Sequence, residues 1–184
     1  MFTKCARFFQ RFEVLTLTLA FCALFAAQFA FGLALATEPV FDFEAVYQGA
    51  LSLMRTGNLG AYTEYYYIFP NNLGAALLLG VVFSGAQLFG AADFYLVGTV
   101  LNILLLDLTF LLCYLICRKL FGISRALLVL LILALIAPLY FFTPLFYTDM
   151  LSLPFAPLAF YLYLLAKDRE RLLPRLLLFF FMGL

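Results

Sequence analysis

Long runs of apolar residues dominate the chain, and short polar stretches separate them. A helix needs about 20 apolar residues to cross a bilayer, with a range of roughly 17–25. Five runs have this length, at residues 14–36, 71–89, 94–117, 126–142 and 150–166. They predict an all-α fold, a polytopic bundle of transmembrane helices in a single membrane domain. A further apolar run starts at residue 176, and because a helix cannot stop in mid-bilayer we expect the chain to be the N-terminal part of a longer protein.

The basic residues predict which runs cross. Lys and Arg in short loops collect on the cytoplasmic side of a membrane, and ten of the 11 fall at residues 4–11, 118–125 and 167–175. All three clusters are cytoplasmic only if the run at 71–89, weakened by Asn and Gly, does not cross. The predicted topology therefore has a cytoplasmic N-terminus and spans at 14–36, 94–117, 126–142 and 150–166. A large outer loop, 37–93, contains 71–89 as an interfacial or re-entrant helix.

The predicted outer loop contains a second, amphipathic helix at residues 43–55. Apolar side chains follow one face at helical spacing, and Glu44, Gln48, Ser52 and Arg55 lie opposite. This pattern is typical of a juxtamembrane helix that lies flat on the bilayer with its apolar side down. The tyrosine-rich segment after it, 62–69, is open to two interpretations. It is either an interfacial aromatic belt or a wall that faces a sugar or a lipid headgroup.

The amino-acid composition narrows the classes of protein to which the chain can belong. The chain is 67% hydrophobic and 11% charged, whereas a soluble domain is about half apolar and a quarter charged. A net charge of +1 gives no broad basic surface, so we expect no nucleic acid partner. Histidine is absent, which excludes nucleophile activation by His and the commonest zinc ligand. The composition indicates a multi-pass protein of the cell membrane, with the lipid bilayer as its first partner.

The acidic residues have a different distribution. Six lie on the predicted outer side, namely Glu38, Asp42, Glu44, Glu64, Asp93 and Asp149, and such oxygen ligands suit a divalent cation. Asp42 and Asp149 each precede a predicted helix, so each is either an N-cap or a chemically active group. Asp107 lies within a predicted span, where it makes a polar contact inside the bundle or belongs to a site.

Several short motifs occur in a characteristic order. Asp42 and the amphipathic helix come first, followed by Phe69-Pro70-Asn71-Asn72 before a weak apolar helix. An Asn-containing span then ends in Arg118-Lys119, and a span with Pro138 leads to Tyr147-Thr148-Asp149. This order resembles the N-terminal half of GT-C glycosyltransferases, in particular the protein O-mannosyltransferase-like and bacterial cell-surface enzymes. These multispan enzymes use polyprenyl-phosphate-linked sugars.

The resemblance implies transfer of a sugar from a polyprenyl-phosphate donor to a hydroxyl of a glycan or protein acceptor, on the outer face of the membrane. Asp42 would be the general base, Asp149 a second acid that organises metal, phosphate or acceptor, and Glu44 the alternative partner of Asp42. A divalent metal held by Asp42, Glu44 or Asp149 stays open. Seven further residues are expected to contact substrate: Arg55, Tyr62, Glu64, Tyr66, Asn71, Asn72 and Tyr147. The alternatives are a transporter or channel subunit and a non-catalytic membrane scaffold.

Overall fold

The computed structural model describes residues 11–168, and over that range the protein is all-helical, as the sequence predicts. The α-helices of this range are α1 (Glu13–Ala34), α2 (Phe41–Thr56), α3 (Thr63–Ile68), α4 (Leu73–Leu88), α5 (Phe94–Phe121), α6 (Ile123–Ala134), α7 (Ala137–Phe141), α8 (Thr148–Ser152) and α9 (Phe155–Asp168). Short 3₁₀ helices at Gly60–Tyr62 and Pro70–Asn72 lie on either side of α3. The predicted span at 176 and the basic residues before 11 and after 168 lie outside the described residues.

Four helical stretches are long and apolar enough to cross a membrane. They are Glu13–Ala34, Pro70–Leu88, Phe94–Phe121 and Thr148–Lys167. Three of them overlap predicted spans. Pro70–Leu88 instead corresponds to the run at 71–89, which is expected to be interfacial or re-entrant. Its length and composition would let it cross the membrane. The expected placement therefore depends on the distribution of Lys and Arg.

The predicted span at 126–142 is not one continuous helix in the structure. Helix α6 ends at Ala134, and the five-residue α7 begins after a break at Leu135 and Ile136. Pro138 explains the break, because proline lacks a backbone N–H and its ring clashes with the preceding turn of a helix. At 1.5 Å per residue α6 is about 18 Å long, which is shorter than the roughly 30 Å hydrocarbon core of a bilayer.

The chain divides into two compact units. The first combines Met1–Ala27, Leu105–Pro138 and Ser152–Leu184, and the second combines Gln28–Leu104 and Leu139–Leu151. The second unit therefore includes all of the predicted outer loop and the segment that leads to Asp149.

An ion pair joins the start of α1 to the end of α5 in the first unit. Arg118 Nε lies 2.6 Å from Glu13 Oε1, and its Nη2 donates to Glu13 Oε2 at 2.9 Å. The hydroxyl of buried Tyr114 donates to the same carboxylate at 2.8 Å. A bidentate Arg–carboxylate pair with a third donor is among the stronger polar contacts in proteins, so it fixes these two helix ends to each other.

In the second unit, the apolar face of α2 packs against α4. Val46 and Ala50 on α2, and Ala76 and Leu79 on α4, are fully buried. The helices approach closely at Gly80, where an added Cβ would lie 3.1 Å from the Cβ of Leu53. This contact corrects the expectation that the helix at 43–55 lies with its apolar side on the bilayer. That side is covered by protein, because α4 presents small residues to it.

A buried amide supports the segment after α7, also in the second unit. Asn102 on α5 is 1% exposed, and its Nδ2 donates to the carbonyl oxygens of Phe142 at 3.1 Å and Thr143 at 2.9 Å. These carbonyls belong to the irregular backbone after α7, where the carbonyl of Phe142 also accepts the backbone N–H of Leu145 at 3.1 Å. Buried carbonyl groups need hydrogen bonds, and the side chain of Asn102 supplies one to Thr143 and a second one to Phe142.

Candidate functional site

Four side chains of the second unit form a continuous chain of hydrogen bonds, which we call the Asp42 network. The hydroxyl of Tyr65 donates to Asp42 Oδ1 at 2.8 Å, and Nδ2 of Asn72 donates to the Tyr65 hydroxyl. The Thr148 hydroxyl in turn donates to Asn72 Oδ1 at 2.6 Å. The network therefore connects α2, α3, the 3₁₀ helix Pro70–Asn72 and the start of α8.

Asp42 lies inside the first turn of α2 and does not cap it. The residue at the N-cap position is Val40, and no side chain forms a cap hydrogen bond there. The N-cap interpretation of Asp42 is therefore wrong, since the helix begins at Phe41, two residues earlier than that role requires. Phe41, directly before Asp42, has a φ of 53°, a left-handed conformation that bulky residues rarely adopt. Strained backbone of this kind persists only where its surroundings hold it, and it concentrates at functional sites.

Asn72 is the centre of the network. It is only 3% exposed, and its Oδ1 accepts hydrogen bonds from Thr148 and from Nδ2 of Asn71, the latter at 3.1 Å. Since its Nδ2 also donates to Tyr65, both ends of the amide are engaged. The structure thus places Asn72 behind the acid as a positioning residue, whereas the sequence predicts a direct substrate contact. Asn71 is exposed beside it.

Tyr65 connects Asn72 to Asp42 and was not among the predicted site residues. Burial, followed by the hydrogen bond to Asp42, raises the pKa of Tyr65 to about 12. The phenol therefore stays protonated at neutral pH and remains a donor to the carboxylate. Asp42 itself is exposed, so a ligand can reach the carboxylate that Tyr65 orients.

The second predicted acid lies at the other end of the network. Asp149 is exposed in the first turn of α8, and the Tyr147 hydroxyl donates to its Oδ2 at 3.0 Å. That hydrogen bond and then burial raise the pKa of Tyr147, and the negative charges of Asp149 and Asp42 raise it further. Each of the two exposed carboxylates accepts a hydrogen bond from a tyrosine hydroxyl.

Glu44 belongs to a different part of the same helix. Its Oε1 accepts a hydrogen bond from the Tyr62 hydroxyl at 3.0 Å, and burial followed by this hydrogen bond raises the pKa of Tyr62. Tyr62 also lines a groove of about 280 Å³, which we call the Arg55 groove. Its lining is Gln48, Leu51, Ser52, Arg55, Thr56, Leu59, Ala61 and Tyr62. Two predicted residues, Arg55 and Tyr62, therefore line this groove, and Glu44 is connected to it only through the hydrogen bond from Tyr62.

The two remaining predicted residues do not join either group. Tyr66 is 5% exposed, and its hydroxyl donates to the carbonyl of Ala45 at 2.9 Å. It fits over Gly49, where an added Cβ would lie 2.5 Å from the hydroxyl oxygen. Burial raises its pKa, and the ring packs α3 on α2 without offering a surface to a ligand. Glu64 is exposed on α3 and takes no part in the Asp42 network.

The acids do not form a metal site in the part of the chain that the structure describes. Within residues 11–168, no three Asp, Glu or Cys side chains come close enough to hold one ion. Asp42 bonds to Tyr65, Glu44 to Tyr62 and Asp149 to Tyr147. Within the described range, Asp42, Glu44 and Asp149 therefore do not form a three-ligand metal cluster. Asp107 lies in the first unit.

The chain was compared with known proteins at the level of family, sequence and structure. No protein family, no curated protein and no solved structure matches it. The residues described here define an all-helical protein with four helices long and apolar enough to cross a membrane. Its second unit carries two exposed carboxylates, Asp42 and Asp149, each of which accepts a hydrogen bond from a tyrosine hydroxyl.

Proposed function

We propose that the protein is an integral membrane glycosyltransferase that transfers a sugar from a polyprenyl-phosphate donor to an acceptor hydroxyl on the outer face of the membrane. One observation carries the proposal. The exposed carboxylate of Asp42 is oriented by the Tyr65 hydroxyl, and the buried amide of Asn72 holds that hydroxyl. A general base must be accessible and fixed within hydrogen-bonding reach of the proton it removes, and this arrangement satisfies both conditions.

The reaction follows from the position of Asp42. Because Tyr65 donates to Oδ1, Oδ2 is the oxygen that accepts the proton of the acceptor hydroxyl. As that proton moves, the hydroxyl oxygen forms a bond to the anomeric carbon of the sugar. The bond from this carbon to the phosphate oxygen breaks, and the lipid phosphate leaves with the electron pair. Attack opposite to the leaving group inverts the configuration of the anomeric carbon.

The leaving phosphate needs a positive charge or hydrogen-bond donors where its negative charge develops. Arg55 is exposed in the Arg55 groove, but it follows Asp42 by 13 residues in the same helix. At 1.5 Å per residue the two positions are about 20 Å apart along α2, which is much longer than one sugar ring. Arg55 and its polar neighbours therefore suit a remote part of a hydroxyl-rich acceptor.

The proposal is tested by sugar transfer in membranes that contain the full-length protein. A synthetic polyprenyl-phosphate sugar with an isotope label serves as donor, and a hydroxyl-bearing glycan or peptide serves as acceptor. Mass spectrometry detects the labelled product, and nuclear magnetic resonance gives its anomeric configuration. Absence of Asp42-dependent transfer across a panel of sugars would refute the proposal.

Replacing Arg55 by Gln is expected to raise the KM for the acceptor by about fivefold to tenfold and to leave kcat nearly unchanged. The reason is that a contact remote from the reacting atoms contributes equally to ground-state and transition-state binding. Steady-state kinetics with varied acceptor measures this split. A large loss of kcat at saturating acceptor would instead place Arg55 near the leaving phosphate.

The proposed outer-face reaction also predicts a topology, with the N-terminus in the cytoplasm. Cysteines at Gln87 and Ser124, two exposed positions, are expected to report outside and inside in a background without the four native cysteines. An impermeant thiol reagent applied to intact cells should label only the cysteine at 87. The reverse pattern would show that Pro70–Leu88 crosses the membrane.

A further inference from the structure

A cavity of about 400 Å³ lies in the first unit, at the end of α5 that carries the basic residues. Its lining comes from four helices and consists of Glu13, Leu115, Arg118, Lys119, Ile123, Tyr161 and Leu165. Three of these side chains are apolar, and the other four are two cations, one carboxylate and one phenol. None of these residues belongs to the Asp42 network.

The charges in this wall favour an anion. Among the described residues of the lining, the only carboxylate is that of Glu13, which is already engaged by the bidentate pair with Arg118 and by the Tyr114 hydroxyl. Lys119 adds a second positive charge, so the described lining residues carry a formal charge of +1. Arg118 is half exposed, at 49% of its side chain, and its guanidinium group has donors beyond the two that Glu13 accepts. Arg and Lys together are typical ligands of phosphate.

The position of the cavity along α5 indicates which kind of anion can reach it. Helix α5 has 28 residues, so it is about 42 Å long, which exceeds the roughly 30 Å hydrocarbon core of a bilayer. Arg118 and Lys119 are in its last turn, at the depth where lipid headgroups lie. The apolar side chains Leu115, Ile123 and Leu165 would then meet the upper part of an acyl chain.

We propose that this cavity binds the phosphodiester headgroup of an anionic glycerophospholipid, with Arg118 and Lys119 contacting the phosphate and the apolar wall contacting the first carbons of an acyl chain. Basic pockets between transmembrane helices are known to hold such headgroups. The site is separate from the glycosyltransferase proposal, since it needs neither Asp42 nor a sugar. It would anchor the Glu13–Arg118 end of the first unit to the lipid interface.

The experiment measures lipid binding to the full chain purified in a mild detergent, by native mass spectrometry. Phosphatidylglycerol is expected to stay bound where phosphatidylcholine does not. Lys119→Gln should weaken phosphatidylglycerol binding about fivefold, the effect of one Lys or Arg near an anionic headgroup, and Lys119→Arg should restore it. Lys119 is exposed, so these variants are expected to keep the thermal unfolding midpoint of the parent.

The matched control is Arg125→Gln, which removes an equal charge from another exposed residue just after α5 that does not line the cavity. It should bind phosphatidylglycerol as the parent does. Equal losses for the variants at 119 and 125 would overturn the proposal, because they indicate a diffuse surface attraction, and so would equal binding of the two lipids. Binding of inorganic phosphate without any retention of phosphatidylglycerol would show that the site takes free phosphate instead of a lipid.

Discussion

Replacing Asp42 by Asn is expected to lower sugar transfer by about 100-fold or more while leaving the fold intact. The amide oxygen of Asn can still accept the hydrogen bond from Tyr65, but the amide cannot take a proton from the acceptor hydroxyl. No helix cap is lost, since Val40 is the N-cap residue of α2 and forms no side-chain cap hydrogen bond. Initial rates with a labelled polyprenyl-phosphate sugar, measured in membranes with matched protein levels, check this result.

Asp93→Asn is the control for the loss of one negative charge in the same unit. Asp93 is exposed, and its Oδ1 accepts the backbone N–H of Leu96 at 2.9 Å, a cap role that Asn performs nearly as well. The sugar-transfer rate of the Asp93→Asn variant should equal that of the parent. Near-normal turnover of the Asp42→Asn variant would exclude Asp42 as the base and make Glu44 and Asp149 the next candidates.

Tyr65→Phe separates orientation of the carboxylate from proton transfer. The variant keeps the ring that packs 5.0 Å from Phe69, measured between centroids, but it loses the hydroxyl that joins Asn72 to Asp42. We expect kcat to fall by about tenfold with KM unchanged, a smaller loss than for Asp42→Asn, because the base remains but is less well positioned. A loss confined to KM would contradict the positioning role.

Phe146→Ala is expected to lower the free energy of unfolding by about 3–5 kcal/mol, the usual cost of truncating a buried phenylalanine. Phe146 is fully buried, and its ring centroid lies 4.9 Å from that of Phe43, 5.7 Å from Tyr47 and 5.2 Å from Tyr95. It also lies against Gly98, where an added Cβ would come within 2.5 Å of the ring. Thermal unfolding in detergent, followed by circular dichroism, checks the prediction.

Phe89→Ala provides the comparison, because Phe89 is 93% exposed and its truncation creates no cavity. Its effect should stay within about 0.5 kcal/mol, as for most surface substitutions. Phe146 directly precedes the segment with Tyr147, Thr148 and Asp149, so its truncation should also reduce sugar transfer by displacing these residues. Equal unfolding midpoints for the two variants would show that the aromatic cluster contributes little to stability.

The sequence was sufficient to predict the amphipathic helix α2 but not what covers its apolar face. The spacing of Phe43, Val46 and Ala50 predicts an amphipathic helix, and α2 is present at that place. However, an apolar face of this kind is compatible with contact to lipid and with contact to protein, because both environments favour the same apolar side chains. Only the close approach at Gly80 on α4 distinguishes them, and nothing in the local pattern specifies that approach.

The site was predictable where a polar residue stands out in apolar surroundings, as Asp42, Asn72 and Asp149 do. Tyr65 was missed because four tyrosines occur between residues 62 and 67, and local spacing does not show which one bonds to an acid 23 residues earlier. Thr148 was missed as well, since its partner Asn72 is 76 residues away. The error about the capping role of Asp42 arose because a helix start can be placed only within one or two residues.

The hydrogen bonds from Asn102 to the carbonyls of Phe142 and Thr143 have a consequence for membrane insertion, because the donor is synthesised before its acceptors. Residue 102 leaves the ribosome before residues 142 and 143, so its amide is already in the membrane when the irregular segment after α7 arrives. Without it, the Thr143 carbonyl would lose the hydrogen bond from Asn102, and an unsatisfied carbonyl group in hydrocarbon costs several kcal/mol. Asn102 on α5 is thus in place to bond the segment after α7 as that segment is inserted. An Asn102→Leu variant should therefore be held longer at the translocon and degraded faster than the parent.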